Sequence, residues 1–548
     1  MSDSARMTPA IPAGHRESPD NPAARTLGRL AMAGIGTAIL IMIAASLVRQ
    51  DWMRPPLVMP RPGPPWEFQS LHVSPVLIII ALWLAAILGG AGVVAGLLAA
   101  SRGARPPMRV IAATAVIAVV ALTVLPPAGS SDPLDYAAYG RLLMLGHNPY
   151  VTTPHFLRVV HDAFARSVPT EWQHQVSLYG PFASLEQYLA ARLGGASPAR
   201  IVLWLKLGNA AAFAAVAFAL DRLLRGQPAR RLRAHLLWTV NPLLLWDLIA
   251  GGHVDVVAAA AGLAGLLAIG RQGPAARPRL ARALAAGALV GVAADIKIDY
   301  LLFAAGLAWG LRRWPAALAT AAAGALAVLV PTYAWFGRPA VRALVAARDH
   351  VSADTIYQFL WPDPGHVHLL APASGLLVLA LAALLLRRLP PGDRLRPALR
   401  PALALSLAWL SLWPYQLPWY YAIVICVLAL YPASRLDWIV LVPLTFATIS
   451  NMPGNPHLPR AWLRSVDRFA VHYQAPLVLL LAAGALVVLA AARDWGLREP
   501  PRPQPQPGPR LRPGPRLERP PLQPQPGGSA QVDARVEGEA RDQVGGLA

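Results

Sequence analysis

The chain has 548 residues, 55% apolar and only 14% charged, with a net charge of +21 and a mean hydropathy of +0.43. That length would suit three or four soluble domains, but no soluble domain buries so many helices that are apolar all round. In a soluble protein the positive charge would suggest nucleic acid; here many basic residues stand in short segments between apolar runs, as membrane topology requires, and no nucleic-acid partner is expected. Almost all are arginine, the two lysines being Lys206 and Lys297, a bias that with abundant Ala, Pro and Gly points to a GC-rich genome. The single cysteine, Cys426, excludes an internal disulfide and a multi-cysteine metal site.

In chain order, residues 1–26 are polar and Pro-rich and are expected to be a disordered cytoplasmic segment. The apolar run from Leu27 reads as a retained signal anchor. About fourteen stretches meet the length criterion for a membrane-spanning helix. They lie near 27–48, 74–100, 109–127, 199–221, 234–249, 254–270, 280–296, 298–314, 315–336, 367–386, 399–414, 418–432, 436–450 and 475–492. The expected class is an all-α polytopic integral membrane protein, with one membrane domain over 27–494. Residues 495–548 form a Pro-rich tail expected to be disordered and cytoplasmic. No internal repeat stands out, which counts mildly against transporters built from repeated halves.

Arginine placement sets the expected orientation. Clusters at Arg222–Arg233, Arg271–Arg282, Arg312–Arg313 and Arg387–Arg400 each follow an even-numbered span. Positive segments stay in the cytoplasm, so both termini are expected there, in a multi-pass plasma-membrane protein. The segments 49–73, 128–198, 250–253, 297, 337–366, 415–417 and 451–474 then face outward. The last carries Arg460, Arg464 and Arg468 and is an exception to the pattern.

The segment 128–198 is too long for a connector. Tyr136, Tyr139, Leu142 and Leu143 recur at helical spacing in Asp135–Leu145, as do Phe156, Val160, Ala163 and Phe164 in Phe156–Val168. Such amphipathic helices can lie flat at a membrane interface, or serve only as a lid. The segment opens on Asp132-Pro133-Leu134-Asp135, two carboxylates on one helical face. A partly buried carboxylate there suits a general base; equally, Asp132 before Pro133 reads as a helix cap, which spacing alone favours.

Other polar groups mark span ends. Gly251-Gly252-His253-Val254-Asp255 is a very short turn, and Asp295-Ile296-Lys297-Ile298-Asp299 another. Lys297 is either in a structural ion pair or at an anion site, where it could meet a lipid phosphate. Lys206 is expected to snorkel to the interface. Trp413-Pro414-Tyr415-Gln416-Leu417-Pro418-Trp419-Tyr420-Tyr421 reads as an interfacial aromatic belt or as a sugar-stacking or lipid-groove surface.

Taken in order, these motifs resemble a family. Asp132-Pro133-Leu134-Asp135-Tyr136-Ala137-Ala138-Tyr139-Gly140-Arg141, followed by Gly146-His147-Asn148-Pro149-Tyr150, resembles the first large outer loop of polyprenyl-phosphate-dependent GT-C glycosyltransferases. The match is best to the actinobacterial α-1,6-mannosyltransferases that elongate lipomannan-type chains. Tyr179-Gly180-Pro181-Phe182, Asn241-Pro242 and Gly252-His253-Val254-Asp255 resemble further family elements, and Lys297 stands where such proteins place a lysine. The long first motif is fairly specific and the short ones are weak singly; together they cover roughly residues 30–490. The position of Val254 is more often Asn in the pattern. That of Asp135 is often a small polar residue, which makes Asp132 the better match for the essential acid.

The resemblance implies a GT-C-like transferase that moves mannose from a polyprenyl monophosphate mannose to a lipid-linked mannoside at the outer face. It implies inversion, forming an α-1,6 linkage. Asp132, with Asp135 as helper or bystander, would be catalytic. Lys297, Arg141 and His253 would hold the donor phosphate. Tyr136, His147, Asn148, Tyr150, Tyr179, Asp255, Trp413, Tyr415, Trp419 and Tyr420 would line the substrate sites. The implied partners are the lipid-phosphate sugar donor, the lipid-linked glycan acceptor and membrane lipids. No cofactor and no metal ligand set is assigned, although some members of this broad fold use a divalent ion held by outer-loop acids. Three alternatives stand beside this reading: another polyprenyl-phosphate sugar, a secondary transporter or lipid flippase, and an inactive scaffold. A transporter would place its charges near the bilayer midplane, whereas here they crowd the outer edge.

Overall fold

A computed structural model describes residues 22–48, 73–271, 278–347, 350–357, 367–390, 396–452 and 458–496. Every regular element among the described residues is helical, as the all-α membrane class requires. The Pro-rich tail lies outside the described residues from 497 onward, as does the N-terminal segment before Pro22.

The chain opens with three apolar helices: α1 (Pro22–Leu47), α2 (Pro75–Ser101) and α3 (Met108–Val124). Next come α4 (Asp132–Met144), the short α5 (His155–Val159) and α6 (Pro181–Gly194), then the long α7 (Pro198–Leu224). A broken pair follows, in which α8 (Pro228–Ala234) and α9 (Pro242–Leu244) alternate with π-helical turns and lead into α10 (Asp255–Ala268). Beyond it stand α11 (Leu280–Ile296), α12 (Leu301–Leu311), α13 (Pro315–Phe336), α14 (Arg338–Ala347) and α15 (Val367–Arg388). The series ends with α16 (Leu399–Leu412), α17 (Ala422–Leu428), α18 (Leu436–Asn451), α19 (Ala461–Phe469) and α20 (Ala475–Ala492). Proline stands at the first turn of α2, α4, α6, α7, α8, α9 and α13, where its fixed φ favours a helix and its missing N–H has no intrahelical partner to lose.

All fourteen stretches expected to span fall on helices, but they differ in reach. Among the described residues six helices are long and apolar enough to cross a bilayer: α1, α2, α7, α13, the Leu369–Arg388 part of α15, and the continuous Ala461–Ala492. Pro228–Ala250 and Asp255–Ala268 together make a seventh, bent by 114°. The remaining apolar helices, such as Met108–Val124 and Leu436–Asn451, have 10–17 residues. Asn241-Pro242 begins the break before the bend: Asn241 Oδ1 accepts from Leu243 N and its Nδ2 donates to Leu237 O, satisfying groups the proline interrupts.

Three local expectations are corrected. Phe156–Val168 is not one amphipathic helix. His161 takes a left-handed φ of 53°, and Asp162 turns away to bind Arg141 and to accept from Phe164 N, which ends the helix after Val159. The helix α4 exists, but it does not lie flat with one wet face: every residue from Pro133 to Leu142 is buried. Lys206 does not snorkel either. It is fully buried in α7, and its Nζ donates to Leu125 O at 2.7 Å, one of the carbonyls that α3 leaves unpaired where it ends.

At the end of Pro228–Ala250 away from the bend, buried Arg233 pairs with Asp437 and donates to Leu428 O and Tyr431 O. Asp221 gathers Arg231, Arg225 and His235 nearby. These pairs tie α7, α8 and α18 together where the sequence clusters its arginines.

Candidate active site

Between α3 and α4 the backbone crosses the bend of the broken pair. Ala128 N donates to Ala250 O at 3.0 Å. Gly129 has a φ of +83°, and a Cβ there would sit 2.7 Å from the Trp246 indole nitrogen, so only glycine lets the strand of chain pass. Helix α4 then begins at Asp132, with Ser131 in the cap position and Ser130 Oγ accepting from Asp132 N. The carboxylate of Asp132 turns to other side chains. Tyr136 OH donates to its Oδ2 at 3.2 Å, and His253 Nδ1 lies 3.3 Å from the same oxygen. The latter is an ion-pair distance with off-axis hydrogen-bond geometry. The cap reading of Asp132 therefore gives way to a carboxylate held by Tyr136 and His253.

The two acids of α4 are driven apart electrostatically. Burial pushes Asp132 up, but His253, Tyr136 and Ser130 together outweigh it and hold the carboxyl below its ordinary range. Burial pushes Asp135 well above that range, and the Asp132 charge adds to it. Asp135 Oδ1 is buried without a hydrogen-bond partner. One carboxyl is thus poised as the anion and the other as the neutral acid.

Two later motifs close around Asp132. Gly180 N donates to Ile296 O, and a Cβ on Gly180 would stand 1.8 Å from Asp295 O, so glycine alone admits this contact. The contact sets Tyr179, whose ring meets Tyr136 edge-on at 5.0 Å with the two hydroxyls 3.1 Å apart. From the turn 251–255, His253 stacks on Trp419 at 3.5 Å and 14°, so its ring is clamped between an indole and a carboxylate. Lys297 Nζ, on extended backbone at the end of α11, lies 2.6 Å from Asp255 Oδ1, 3.9 Å from Asp299 Oδ2 and 3.5 Å from the Tyr420 ring centre. The ion pair is real, and Lys297 also faces open space.

That space is a cavity of about 610 Å³. Of the residues singled out in the sequence, Asp132, Asp135, Tyr136, Tyr179, Lys297, Trp413, Tyr415, Trp419 and Tyr420 line it. His253 and Asp255 stand directly behind, through Asp132 and Lys297. Four other expected residues are not brought to the wall either. Arg141 makes a two-pronged pair with Asp162 and donates to Gly195 O. His147 packs on Phe156. Asn148 accepts from Tyr150 N and donates to Phe336 O. Tyr150 OH donates to Tyr179 O at 2.8 Å, bracing the site from the rear. These residues shape the loop, and their side chains are engaged in it.

Asp299 also lines it, and five further lining residues were not singled out in the sequence: Glu171, Trp172, Gln175, His350 and Asp467. Asp299 adjoins Lys297 and was legible as its neighbour. Glu171, Trp172 and Gln175 lie on irregular backbone, where periodicity gives no cue. The aromatic turn is pinned by the segment 350–357, with Ser352 N donating to Pro414 O and Gln416 N to Ser352 Oγ. Among the described residues no three His, Cys, Asp or Glu side chains gather as a metal-ligand set.

No solved structure matches the chain. A curated relative named a probable alpha-(1->6)-mannopyranosyltransferase, from Mycolicibacterium smegmatis (strain ATCC 700084 / mc(2)155), is 31% identical over 173 residues. The match spans 31% of this chain and 31% of the relative. The family model described as "Alpha-(1->6)-mannopyranosyltransferase, N-terminal domain" matches residues 31–313, more than half of the chain and the part that carries α4, the bent pair and Lys297. By that extent of match, the chain belongs to the alpha-(1->6)-mannopyranosyltransferase family.

Proposed function

We propose that the protein is a glycosyltransferase that moves mannose from a polyprenyl monophosphate mannose to a lipid-linked mannoside, forming an α-1,6 linkage with inversion, at the outer face of the membrane. The observation that carries this reading is the pairing of Asp132 with Tyr136 and His253 at the wall of a cavity ringed by aromatic side chains. In the reaction, an acceptor hydroxyl attacks the anomeric carbon of the donor. Its oxygen–carbon bond forms as the bond from that carbon to the phosphate oxygen breaks, and the polyprenyl phosphate leaves with the electron pair. The hydroxyl proton passes to Asp132, which is already ionised because its neighbours hold its carboxyl low.

Inversion asks for one base and no covalent intermediate, which suits the contrast between an ionised Asp132 and a neutral Asp135. Lys297 offers the cationic charge at the wall for the leaving phosphate. Trp413, Trp419, Tyr415 and Tyr420 offer flat faces for sugar rings or the first isoprene units. His253 is buried behind Asp132, so its role in this reading is to orient the base.

The test is an assay of membranes containing the protein with radiolabelled polyprenyl-phosphate mannose and short mannoside acceptors. Product with an α-1,6 linkage, lost in D132N while the protein stays inserted, supports the reading. Transfer that survives D132N removes Asp132 as base, and product from another polyprenyl-phosphate sugar but not from mannose replaces the donor.

A further inference from the structure

Three arginines stand four apart at α19, Arg460 at its N-cap and Arg464 and Arg468 within the helix, all exposed. At 100° per residue they form one stripe. Trp462, Val466 and Phe469 form a second stripe on the opposite side, and they are 50%, 44% and 59% exposed. Leu463, between the stripes, is buried and packs with Leu458 and Ile79 at the start of α2. At that level α2 itself exposes Leu77, Ile80 and Leu84, the side chains a spanning helix turns to lipid. The apolar stripe of α19 thus lies beside a lipid-facing surface. Ala461–Ala492 is a continuous helix of 32 residues, about 48 Å at 1.5 Å per residue, while the hydrocarbon layer is about 30 Å thick. Its first turns therefore reach headgroup level.

Among the described residues no carboxylate forms an ion pair with these arginines. Arg464 donates one bond to Leu458 O, and among the described residues Arg460 and Arg468 form no ion pair. Three clustered arginines at headgroup level, with no ion pair among the described residues, ask for an anion. We propose that α19 is a membrane-surface element whose Arg460, Arg464 and Arg468 bind anionic phospholipid headgroups, while Trp462, Val466 and Phe469 anchor in the adjoining acyl chains. The same helix presents Asp467 to the cavity, so lipid held by its arginines fixes one wall of the candidate site. The inference stands independently of the reaction proposed above.

The test uses the full-length protein in nanodiscs of phosphatidylcholine with and without phosphatidylglycerol. Phosphatidylglycerol retained by the protein is measured by mass spectrometry after detergent extraction. Wild type is expected to retain it in preference to phosphatidylcholine. The variant R460Q/R464Q/R468Q is expected to lose roughly fivefold of that preference per arginine. Rescue by R460K/R464K/R468K supports a charge interaction, while a lysine variant as weak as the glutamine variant overturns it, as does equal retention by wild type and the glutamine variant. Spin labels at V466C and R468C give a readout that does not need the triple variant to fold; the native Cys426 is fully buried. Oxygen-accessible label at 466 with nickel-accessible label at 468 is expected. A nickel-accessible label at 466, or a dimer that W462S/F469S dissociates, overturns the proposal.

Discussion

The imidazole of His253 lies 3.3 Å from the carboxylate of Asp132 and is stacked on its other side by Trp419 at 3.5 Å. His253 is buried, so it acts on Asp132 and not on solvent. Replacing it with Gln is expected to lower kcat by on the order of 10- to 100-fold through misplacement of the base, with the donor KM little changed. A rise in KM at constant kcat would instead make His253 a donor-binding group. W419A is expected to lower kcat by removing the ring stacked on His253, and to raise KM as well, because Trp419 also lines the cavity.

D132N should cost on the order of 10²- to 10⁴-fold in transfer. The carboxyl is held below its ordinary value of 3.8, burial being outweighed by His253, Tyr136 and Ser130. The ionised base is then present above that lowered value and is lost only as pH falls through it. Activity of the wild type should therefore show no base-dependent decline between pH 7 and the ordinary carboxylate range. A pH–rate profile falling with an apparent pKa above that range would contradict the assignment.

Asp135 behaves in the opposite sense. Its carboxyl is raised well above 3.8 by burial and by Asp132, so the folded protein keeps a proton that the unfolded chain releases. Stability then falls as pH rises from near 3.8 toward the raised value, by up to about 1.4 kcal/mol per pH unit. D135N removes this loss. Its thermal stability in detergent should exceed wild type at pH 7, and the gain should shrink as pH falls toward 4. A gain independent of pH would show that Asp135 is not the group involved.

Lys297 serves two purposes that a pair of variants separates. K297M leaves Asp255 buried without its partner and should destabilise by about 3–5 kcal/mol. K297M/D255N should recover much of that stability. If Lys297 also meets the leaving phosphate, the double variant stays poorly active despite its stability; full activity in the double variant would confine Lys297 to the ion pair.

G180A should displace α6 from Asp295 and separate Tyr179 from Tyr136, because its Cβ would otherwise sit 1.8 Å from a carbonyl oxygen. Loss of protection at the Tyr179–Phe182 amides in hydrogen exchange would register this, and an unchanged exchange pattern would contradict it.

Much of this was legible in the sequence, and the rest for physical reasons was not. Apolar run length determined the helices, because an exposed backbone in lipid leaves a helix as the local solution. The motif order determined the family, and it marked Asp132, Tyr136, Tyr179, Lys297 and the aromatic turn, all of which face one cavity. Helix length misled at the bent pair, since 234–249 reads as a simple span until Asn241-Pro242 and the π-helical turns divert it.

What the sequence by itself determined was therefore local: periodicity, composition and short motifs whose meaning is carried by neighbouring residues. Tertiary structure alone decided pairings across the chain. It turned Arg141 toward Asp162, buried Lys206 under Leu125, and set His253 behind Asp132 and not on the cavity wall. Each is a charge or hydrogen-bond donor whose cost of burial depends on a partner at 21 to 121 residues' separation, so no window along the sequence contains the deciding term.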